Sequence, residues 1–410
     1  MALFVQKFGG SSVADAECMQ RVAQRVYDTR AEGHEVVVVL SAMGKTTDNL
    51  IQLARQVNAQ PDEREMDMLL STGEQVSVSI LAMALHAMGA EAVSLTGPQA
   101  GISTDTAHTK AKITDIQPQR IREQLDRGRI VIVCGFQGLT PTHDIATLGR
   151  GGSDTTAVAL AAALQADRCQ IFTDVDGVYT ADPRQVPQAS KLDCIAYDEM
   201  LELASLGAKV LQSRSVEFAK KYHVELEVLT SFDRRPGTIV KDEVTEMEHI
   251  IVRGVAADKN QAKVTIQHVP DRPGVAARLF KELAAANVNV DMIVQNVSEK
   301  GQTDISFTVP LDEVNRTRTA VDGLIEEIGA AGAFYDVDIA KISIVGVGMR
   351  SHSGVAFRMF DALSAHKINV EMISTSEIKI SVVIRSAYAD QAVQVLHAAF
   401  ELDKVNEPVS

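Results

Sequence analysis

The chain has 410 residues, 46% of them hydrophobic and 23% charged, and a formal net charge of −14. This composition excludes a disordered or fibrous protein, and the length predicts roughly two to four domains. The negative charge argues against a nucleic-acid partner, because binding to a phosphate backbone requires a basic surface.

Targeting and membrane signals are not recognisable in the sequence. The first ten residues, MALFVQKFGG, have no basic segment followed by an apolar one, so we expect no secretory signal. We also expect no membrane partner, since no apolar run approaches the ~20 residues of a membrane span. The four cysteines, Cys18, Cys134, Cys169 and Cys194, form no CxxC pair, which argues against zinc or disulfides and favours a cytoplasmic protein.

The first half of the chain alternates between predicted strands and helices. Buried strands are predicted at 3–8, 36–42, 91–97 and 129–138, and helical periodicity is clear in 65–89. The continuous β-branched run VVVVL indicates a strand that is covered on both faces. Up to about residue 240 this order predicts an α/β fold, a mostly parallel sheet sandwiched by helices, with ligands at the carboxyl ends of the strands.

Residues 147–164, TLGRGGSDTTAVALAAAL, join a glycine-rich turn to the start of an alanine-rich helix. Gly151 and Gly152 allow backbone N–H groups to approach an anion closely, and the helix start adds unsatisfied donors. An alternative with about equal support is a tight strand-to-helix connection that is capped by Asp154 or Thr155.

Two glycine turns in the chain each have a cation beside them. Lys7 stands next to Gly9 and Gly10, and Arg150 stands next to Gly151. Phosphoryl transfer requires mainly that donor and acceptor are positioned and that their charge is neutralised, so two such turns could hold a triphosphate and an acidic acceptor. The planar guanidinium of Arg150 suits a carboxylate.

Other positions admit two interpretations each. Glu74 could receive a substrate ammonium, although spacing alone favours a solvated or capping glutamate. The acidic turn that carries Asp174 and Asp182 could contact a nucleotide or Mg²⁺, or it could be only a solvated turn. Lys209 could bind phosphate, or it could be an ordinary cation on a helix surface.

Beyond a polar, charged stretch at 232–248, the sequence repeats itself with an offset of about eighty residues. AKVTI at 262–266 matches AKISI at 340–344, and VNVDMI matches INVEMI. The tail therefore holds two copies of one small α+β unit, each with the order strand, helix, strand, strand, helix. The second copy lacks a closing strand, and we expect residues 250–257 to supply it. The predicted domains are 1–240, then 241–261 as linker and closing strand, then 262–337 and 338–405 as the two copies.

Five motifs, in this order and spacing, resemble those of aspartokinases of the amino-acid kinase superfamily: KFGGSSVAD, SAMGKTTD, STGEQVS, TLGRGGSDTTAVALAAAL and FTDVDGVYTADPR. The tail repeat resembles the paired ACT domains of the same enzymes, which have a ferredoxin-like α+β fold. The resemblance spans nearly the whole chain. It implies that ATP with Mg²⁺ phosphorylates the side-chain carboxylate of L-aspartate, at the start of the route to lysine, threonine and methionine.

The resemblance also implies a role for each matching residue. Lys7, Arg150 and Asp154 would be catalytic, with Asp154 orienting Lys7. The residues that would bind ATP are Lys7, Phe8, Gly9, Gly10, Ser11, Thr173, Asp174, Tyr179, Asp182, Arg184 and Lys209. The residues that would bind aspartate are Ser41, Thr47, Glu74, Arg150, Gly151, Gly152 and Ser153. No side chain would hold a metal by itself, since Mg²⁺ would arrive with ATP, and no general base is required because a carboxylate is already a nucleophile at neutral pH.

The ACT pair implies feedback inhibition by lysine, threonine or both, and a homo-oligomer that forms through the ACT domains. The effector would contact the loop after the first strand and the start of the second strand of each copy, with the residues Asp271, Gly274, Val275, Ala276, Asp291, Gln295, Asn296, His352, Ser374 and Thr375. An alternative is that these loops only cap a structural dimer. A separate, small ACT-only subunit could start at Met247.

Two positions depart from the family pattern, and two other functions are compatible with the sequence. Lys45 and Ala146 stand where we expect a small or acidic residue and a threonine, which leaves details of the aspartate loop open. One alternative is a kinase of the same superfamily that acts on another acyl or carbamate anion. The other is an ACT-based amino-acid sensor with a vestigial kinase domain. Glu74 with Arg150 favours an amino-acid substrate, and the presence of Lys7 and Asp154 argues against a vestigial kinase.

Overall fold

The computed structural model describes residues 1–206, 210–242, 251–296, 301–350 and 352–405. They form two compact units, the first built from Met1–Val178 with Lys191–Thr245 and the second from Tyr179–Ser190 with Glu246–Ser410. Lys209 and Met247 lie outside the described residues, so their predicted roles stay predictions.

The first unit contains strands and helices in alternation. Its strands are β1 (Leu3–Phe8), β2 (Glu35–Leu40), β3 (Ala92–Leu95), β4 (Ile102–Thr104), β5 (Ile113–Ile116), β6 (Ile130–Cys134), β7 (Gln137–Leu139), β8 (Ile145–Thr147), β9 (Arg168–Thr173), β10 (Cys194–Ala196), β11 (Leu226–Thr230) and β12 (Thr238–Lys241). Its helices are α1 (Ala16–Ala31), α2 (Thr46–Val57), α3 (Glu63–Leu70), α4 (Thr72–Ala87), α5 (Gln119–Asp126), α6 (Gly152–Leu164), α7 (Tyr197–Ser205) and α8 (Ser213–Tyr222).

The main sheet of the first unit has eight strands within the described residues, in the order β10-β12-β11-β9-β1-β2-β6-β3. All neighbours are parallel except β11 and β12. The predicted mostly parallel α/β sheet is therefore confirmed. Its β-branched runs explain it, because five consecutive residues of β2 are buried and a strand needs such composition when helices cover both faces.

One expectation about apolar stretches is wrong. The helical stretch Glu63–Ala87 is long and apolar enough to cross a membrane by length and composition alone. Half of its apolar 18-residue window is buried inside the protein, and Leu81 and Leu85 pack in the hydrophobic core beside residues of β2 and β6. The stretch consists of α3 and α4, which meet at Ser71.

A smaller sheet, β5-β4-β7-β8, lies in the same unit. Its strands have only three or four residues each. β8 pairs with β7 in antiparallel fashion, with Thr147 opposite Gln137. This pairing sets the point at which the chain leaves the sheet and enters the glycine-rich turn before α6.

The second unit is built around one antiparallel sheet. Its strands are β13 (Gly254–Pro270), β14 (Ile293–Gln295), β15 (Gln302–Pro310), β16 (Gly332–Val345), β17 (Met372–Thr375) and β18 (Lys379–Arg385). Its helices are α9 (Val275–Ala285), α10 (Val314–Asp322), α11 (Ile325–Ile328), α12 (Val355–Ala365) and α13 (Ala389–Ala399). The order within the sheet is β14-β15-β13-β16-β18-β17, so the two predicted α+β copies lie side by side.

The second copy takes its closing strand from the segment before the first copy. The first part of β13, from Gly254 to Asp258, pairs with the first strand of the second copy, from Val345 to Lys341. The first copy is closed by its own last segment, the first part of β16 from Gly332 to Asp336, which pairs with β13 between Gln267 and Lys263. The segment that the sequence assigns to closing the second copy thus pairs there, and both copies share two long central strands.

Residues 179–190 leave the first unit and pack within the second, which the sequence did not predict. Ala181 and Val186 belong to the hydrophobic core of the second copy. Thr180 Oγ1 is hydrogen-bonded to the buried His397 Nε2 at 2.9 Å, and Thr180 O accepts the Val255 N–H at 2.8 Å. The segment packs in the second unit because of this apolar burial and these hydrogen bonds, although its neighbours in sequence belong to the α/β unit.

Candidate active site

An open cleft of about 1120 Å³ lies in the first unit at the carboxyl ends of its central strands. Ligands of open α/β sheets bind in this position, because the loops that follow parallel strands meet there. The predicted site residues that line the cleft are Lys7, Gly9, Gly10, Ser41, Thr47, Glu74, Arg150, Gly151, Gly152, Ser153 and Asp154. Every residue predicted to bind aspartate is therefore brought to one cavity.

Two residues predicted for ATP lie next to this set without lining the cleft. The Phe8 side chain is fully buried and stacks on Phe172, with ring centroids 4.5 Å apart, so it serves the core. Ser11 is exposed in the short helical turn after β1.

Lys7 and Asp154 form a nearly buried ion pair across the cleft floor. Lys7 lies on β1 between Val39 of β2 and Ile171 of β9, and Asp154 is the third residue of α6. The Lys7 Nζ lies 2.6 Å from the Asp154 Oδ1, and the two side chains are only 11% and 10% exposed. Because both charges are largely removed from water, the ammonium is held in one place.

The turn after β1 requires glycine for close packing. A Cβ atom on Gly10 would lie 2.9 Å from the Ala42 carbonyl oxygen and 3.2 Å from that of Gly44. The Gly44 N–H in turn donates to the Gly10 carbonyl at 3.0 Å. The turns after β1 and β2 therefore touch through their backbones, and the cleft floor beside Lys7 is made of main chain.

The turn before α6 uses left-handed backbone at Gly149 and Gly151, with φ of 75° and 70°. Gly151 is the residue that precedes the helix, and no side chain caps it. The alternative in which Asp154 or Thr155 caps the helix is therefore wrong, since Asp154 pairs with Lys7. The Gly152 N–H donates to the Gly149 carbonyl at 3.0 Å within the turn. The start of α6 presents the positive end of its dipole to the cleft.

Arg150 is exposed and lines the cleft. No carboxylate in the described part of the chain forms an ion pair with its guanidinium. The cleft therefore contains a cation that is fixed by a protein carboxylate, Lys7, and exposed cations that are available to an anionic ligand: Arg150, Arg55 and Lys110.

Glu74 is buried, so its interpretation as a solvated or capping glutamate is wrong. It lies in the first turn of α4 and is only 3% exposed. Its Oε1 accepts the Ala42 N–H at 3.0 Å, whereas its Oε2 has no hydrogen-bond partner among the described residues. Burial raises the pKa of Glu74 to about 8. An unsatisfied buried carboxyl oxygen at the wall of a cleft suits a cationic ligand group.

The residues predicted for the nucleotide fall into two groups. Thr173 ends β9, the strand next to β1, and Asp174 follows it; the Thr173 hydroxyl donates to Asp174 Oδ1 at 3.1 Å. The predicted residues of the 179–190 segment, Tyr179, Asp182 and Arg184, belong to the second unit. There the Arg184 guanidinium pairs with Asp182, with Nη2 and Oδ2 2.7 Å apart.

The sequence did not predict a buried hydrogen-bond network that lies beside the residues predicted to bind the substrate aspartate. Asp67 on α3 is fully buried and accepts hydrogen bonds from the Thr147 hydroxyl and from the Thr109 N–H. Arg214 on α8 donates to two backbone carbonyls near the same place. Asp67 precedes Glu74 by seven residues in a helical stretch, so it shares a face with Glu74, and this spacing was the available signal.

The residues predicted to bind an effector lie at the two ends of one sheet. In the first copy, Gly274 precedes α9 with a φ of 96°, and Gln295 ends the edge strand β14. In the second copy, Ser374 and Thr375 lie on the opposite edge strand, β17. The remaining residues of the predicted set accompany these two groups: Asp271, Val275, Ala276, Asp291 and Asn296 in the first copy, and His352 in the second.

A single chain does not bring these two groups together, because four strands separate the edge strands. Asp291 instead pairs with Lys341, and Lys263 pairs with Glu371. The two lysines occupy equivalent positions in the repeated sequence, and so do the two carboxylates. Each pair therefore joins one copy to the other.

The part of the chain that the structure describes contains no group of side chains arranged for a metal ion, and its two most buried thiols are not activated. It contains no group of three or more histidine, cysteine, aspartate or glutamate residues that could hold a metal ion. Cys18, Cys134, Cys169 and Cys194 are free, and burial raises the pKa of the Cys134 and Cys169 thiols. Those two thiols are therefore held in the unreactive protonated form.

Comparisons with known proteins agree on one family for the whole chain. Residues 2–230 match the amino acid kinase family, and residues 267–323 and 342–400 match the ACT domain. The aspartate kinase Ask_LysC of Stutzerimonas stutzeri is 56% identical over 404 residues, which cover 98% of each chain. The aspartokinase of Mycolicibacterium smegmatis is 53% identical over 414 residues, which cover 100% of this chain and 98% of the relative.

Solved structures with the same fold contain substrates. The crystal structure of E. coli aspartokinase III in complex with aspartate and ADP matches with a TM-score of 0.81 and 27% identity, over 97% of this chain and 99% of that one. The same enzyme in complex with lysine and aspartate matches with a TM-score of 0.76 and 28% identity over the same shares.

Proposed function

Because this chain belongs to the aspartokinase family and is an ATP-dependent aspartate kinase with ACT domains, we propose that its cleft is where the γ-phosphate of ATP passes to L-aspartate. An oxygen of the aspartate side-chain carboxylate forms a bond to the γ-phosphorus, and the bond from that phosphorus to the oxygen that bridges to the β-phosphate breaks. The products are 4-phospho-L-aspartate and ADP.

The observation that carries this proposal is the contrast between two cations in one cleft. Lys7 is fixed by Asp154, whereas Arg150 is exposed and has no carboxylate partner among the described residues. Arg150 binds a carboxylate of aspartate through its planar fork, and the unsatisfied Oε2 of Glu74 receives the ammonium. The remaining aspartate contacts come from Ser41, Thr47, Gly151, Gly152 and Ser153.

Catalysis in this proposal rests on charge and position. Lys7 and the backbone N–H groups of the turn at Gly9 and Gly10 bind the transferring phosphoryl group, and Asp154 keeps the ammonium aimed at it. Preorganised donors of this kind stabilise the charge that develops in the transition state and need no rearrangement during the reaction. No proton has to be removed from the attacking carboxylate.

Mg²⁺ fits the residues at this edge of the sheet. In phosphoryl-transfer sites it is held by phosphate oxygens and water with one or two carboxylates, and Asp174 supplies one exposed carboxylate next to β1. When bound, the cation neutralises the phosphate charge. Thr173 and Asp174 bind the nucleotide, and the family resemblance assigns Tyr179, Asp182, Arg184 and Lys209 to the same ligand.

Regulation in this proposal comes from the second unit. E. coli aspartokinase III has been crystallised with lysine, and we extend to this chain inhibition by lysine, threonine or both. The predicted effector residues lie at opposite edges of the sheet, so a second chain is needed to bring β14 and β17 edges together, which favours a homo-oligomer. A cytoplasmic location and an ACT-only subunit that starts at Met247 belong to the same proposal.

An aspartyl hydroxamate assay with MgATP tests the proposal. L-Aspartate should give hydroxamate in step with ADP release, and N-acetyl-L-aspartate, which has no ammonium, should give neither. Equal turnover of both substrates would overturn the role of Glu74. The assay repeated with lysine, threonine and both together measures regulation, and activity unchanged in all three conditions would overturn the effector assignment.

A further inference from the structure

Asp67 is a fully buried carboxylate to which the proposed mechanism gives no role. It accepts hydrogen bonds from the Thr147 hydroxyl and from the Thr109 N–H, the latter at 3.0 Å, and the His108 Nδ1 lies 2.7 Å from its Oδ2. A buried carboxylate costs free energy unless such contacts satisfy it. These contacts therefore hold the loop around Thr109 and the end of β8 against α3.

The two threonines held by Asp67 belong to the wall of the cleft. Both Thr109 and Thr147 line it. Thr147 is the last residue of β8, and the chain passes from it directly to Arg150. The Ala111 N–H donates to the Thr147 carbonyl at 2.9 Å, so the loop and the strand end are also held to each other.

A second charged side chain holds the same backbone through other atoms. Arg214 on α8 donates from Nη1 to the Leu148 carbonyl and from Nη2 to the Ala111 carbonyl, both at 2.7 Å. Leu148 lies between Thr147 and the glycine turn. The backbone that leads to Arg150 is thus anchored by a carboxylate through a hydroxyl and by a guanidinium through a carbonyl.

We propose that Asp67, acting through Thr147, is a positioning residue that fixes the Arg150 turn, with Arg214 as the second anchor. The inference rests on the proposed function, since it presupposes that Arg150 binds aspartate. Arg150 is exposed and its side chain is flexible, so the position of its backbone decides where the guanidinium can reach. A misplacement of about 1 Å in such a site can cost roughly a hundredfold in rate.

Thr147→Val removes only the hydroxyl and tests the inference by steady-state kinetics. We expect the KM for aspartate to rise about tenfold while the KM for ATP stays within about twofold. Thr147→Ser, which keeps the hydroxyl, should restore both values. In an Arg150→Ala background, Thr147→Val should add less than about twofold, because the side chain that it positions is already gone.

A variant at the other anchor provides an independent measurement. Arg214→Met removes both donors to the backbone and should raise the KM for aspartate selectively, again with little further effect in the Arg150→Ala background. Thr29→Val is the matched control, because Thr29 is a buried threonine of α1 that accepts a hydrogen bond from Gln6 at 3.1 Å and lies outside the cleft. It should leave both KM values unchanged.

The outcomes separate this inference from the proposed function. If Arg150→Ala leaves the KM for aspartate unchanged, the aspartate site of the proposed function is overturned. Arg150→Ala could raise that KM while Thr147→Val and Arg214→Met cause the same further fold-rise in its background as in the wild type. In that case only the positioning role is overturned. If Thr147→Val and Arg214→Met raise the KM for ATP as much as the KM for aspartate, the network serves stability alone. The same conclusion follows if Thr29→Val raises the KM for aspartate as much as Thr147→Val does.

Discussion

The two glycine turns of the cleft are alike in sequence and differ in what holds their cations. The turn after β1 lies beside Lys7, whose ammonium is nearly buried and paired with Asp154 at 2.6 Å. The turn before α6 carries Arg150, which is exposed and has no carboxylate partner among the described residues. In the proposed function, one cation is ordered before any ligand arrives, and the other is ordered by the ligand.

This difference assigns a different energetic task to each turn. A preorganised charge costs no rearrangement when the transition state forms, so it acts mainly on kcat. A solvated guanidinium must exchange water for its ligand and order its side chain on binding, so it acts mainly on the affinity for aspartate. The comparison therefore predicts that the two cations separate in their kinetic effects.

Loss of the buried cation should have the largest effect. Lys7→Ala should lower kcat at least about a hundredfold, because it removes a preorganised donor and leaves Asp154 without its partner. Steady-state kinetics with saturating aspartate and ATP measure it. Lys220→Ala is the control, since Lys220 forms a surface pair with Asp198 at the same 2.6 Å. A kcat close to that of the control would remove the distinction between the turns.

Loss of the exposed cation should change binding more than turnover. We expect Arg150→Ala to raise the KM for aspartate by about thirtyfold, with kcat and the KM for ATP within a few-fold. Arg150→Lys should recover only part of the loss, because an ammonium cannot make two parallel hydrogen bonds. A loss confined to kcat would instead place Arg150 with Lys7 in the transition state.

Glu74 sharpens the comparison, since it is a buried carboxyl group whose Oε2 has no hydrogen-bond partner among the described residues. Its carboxyl titrates near 4.5 in the unfolded chain and near 8 in the folded one, because burial disfavours the charged form. Between these pH values the folded protein keeps a proton that the unfolded chain has lost. Its contribution to the free energy of unfolding therefore falls as the pH rises through this window, and it levels off above pH 8.

Glu74→Gln should separate stability from binding. At pH 8 the variant should be more stable by about 2 kcal/mol in urea unfolding, because the ionisation penalty is gone. Its KM for aspartate should rise about tenfold. In the wild-type enzyme, aspartate binding near pH 7 should release a proton, detectable by calorimetry in buffers of different ionisation enthalpy, and Glu74→Gln should release none. Proton release that persists in Glu74→Gln would assign it to another group.

The sequence predicted most of the fold because its signals are local. The β-branched run of β2 and the alanine-rich α6 predict buried elements directly, and the repeat predicts two similar copies. The cations were visible for the same reason, since Lys7 and Arg150 lie beside glycine turns. The parallel α/β pattern also predicted ligands at the carboxyl ends of the strands. The strand order was not predicted, nor was the placement of the turn before α6 after β8 of the smaller sheet.

The properties that decide the chemistry depend on tertiary contacts. Nothing local to Glu74 shows that it is buried, because its surroundings come from the turn after β2. The Asp67 network joins residues that are 41 and 80 positions apart. The passage of residues 179–190 into the second unit depends on a hydrogen bond between Thr180 and His397, 217 positions away. Periodicity and short motifs carry no information at such separations.

The smallest effect should come from the backbone of the exposed turn. A Cβ atom on Gly151 would lie 2.1 Å from the Gln212 Cγ, and the residue has a left-handed φ of 70°. Gly151→Ala should therefore destabilise the enzyme by about 2 kcal/mol and raise the KM for aspartate a few-fold. In the double variant, Gly151→Ala with Gln212→Gly, only the backbone strain of about 1 kcal/mol should remain.

Gly10→Ala offers no such rescue, because its nearest obstacles are the carbonyl oxygens of Ala42 and Gly44. Thermal unfolding of these three variants tests whether the turn beside Lys7 is the more rigid one, and a Gly10→Ala variant as stable as the double variant would contradict it.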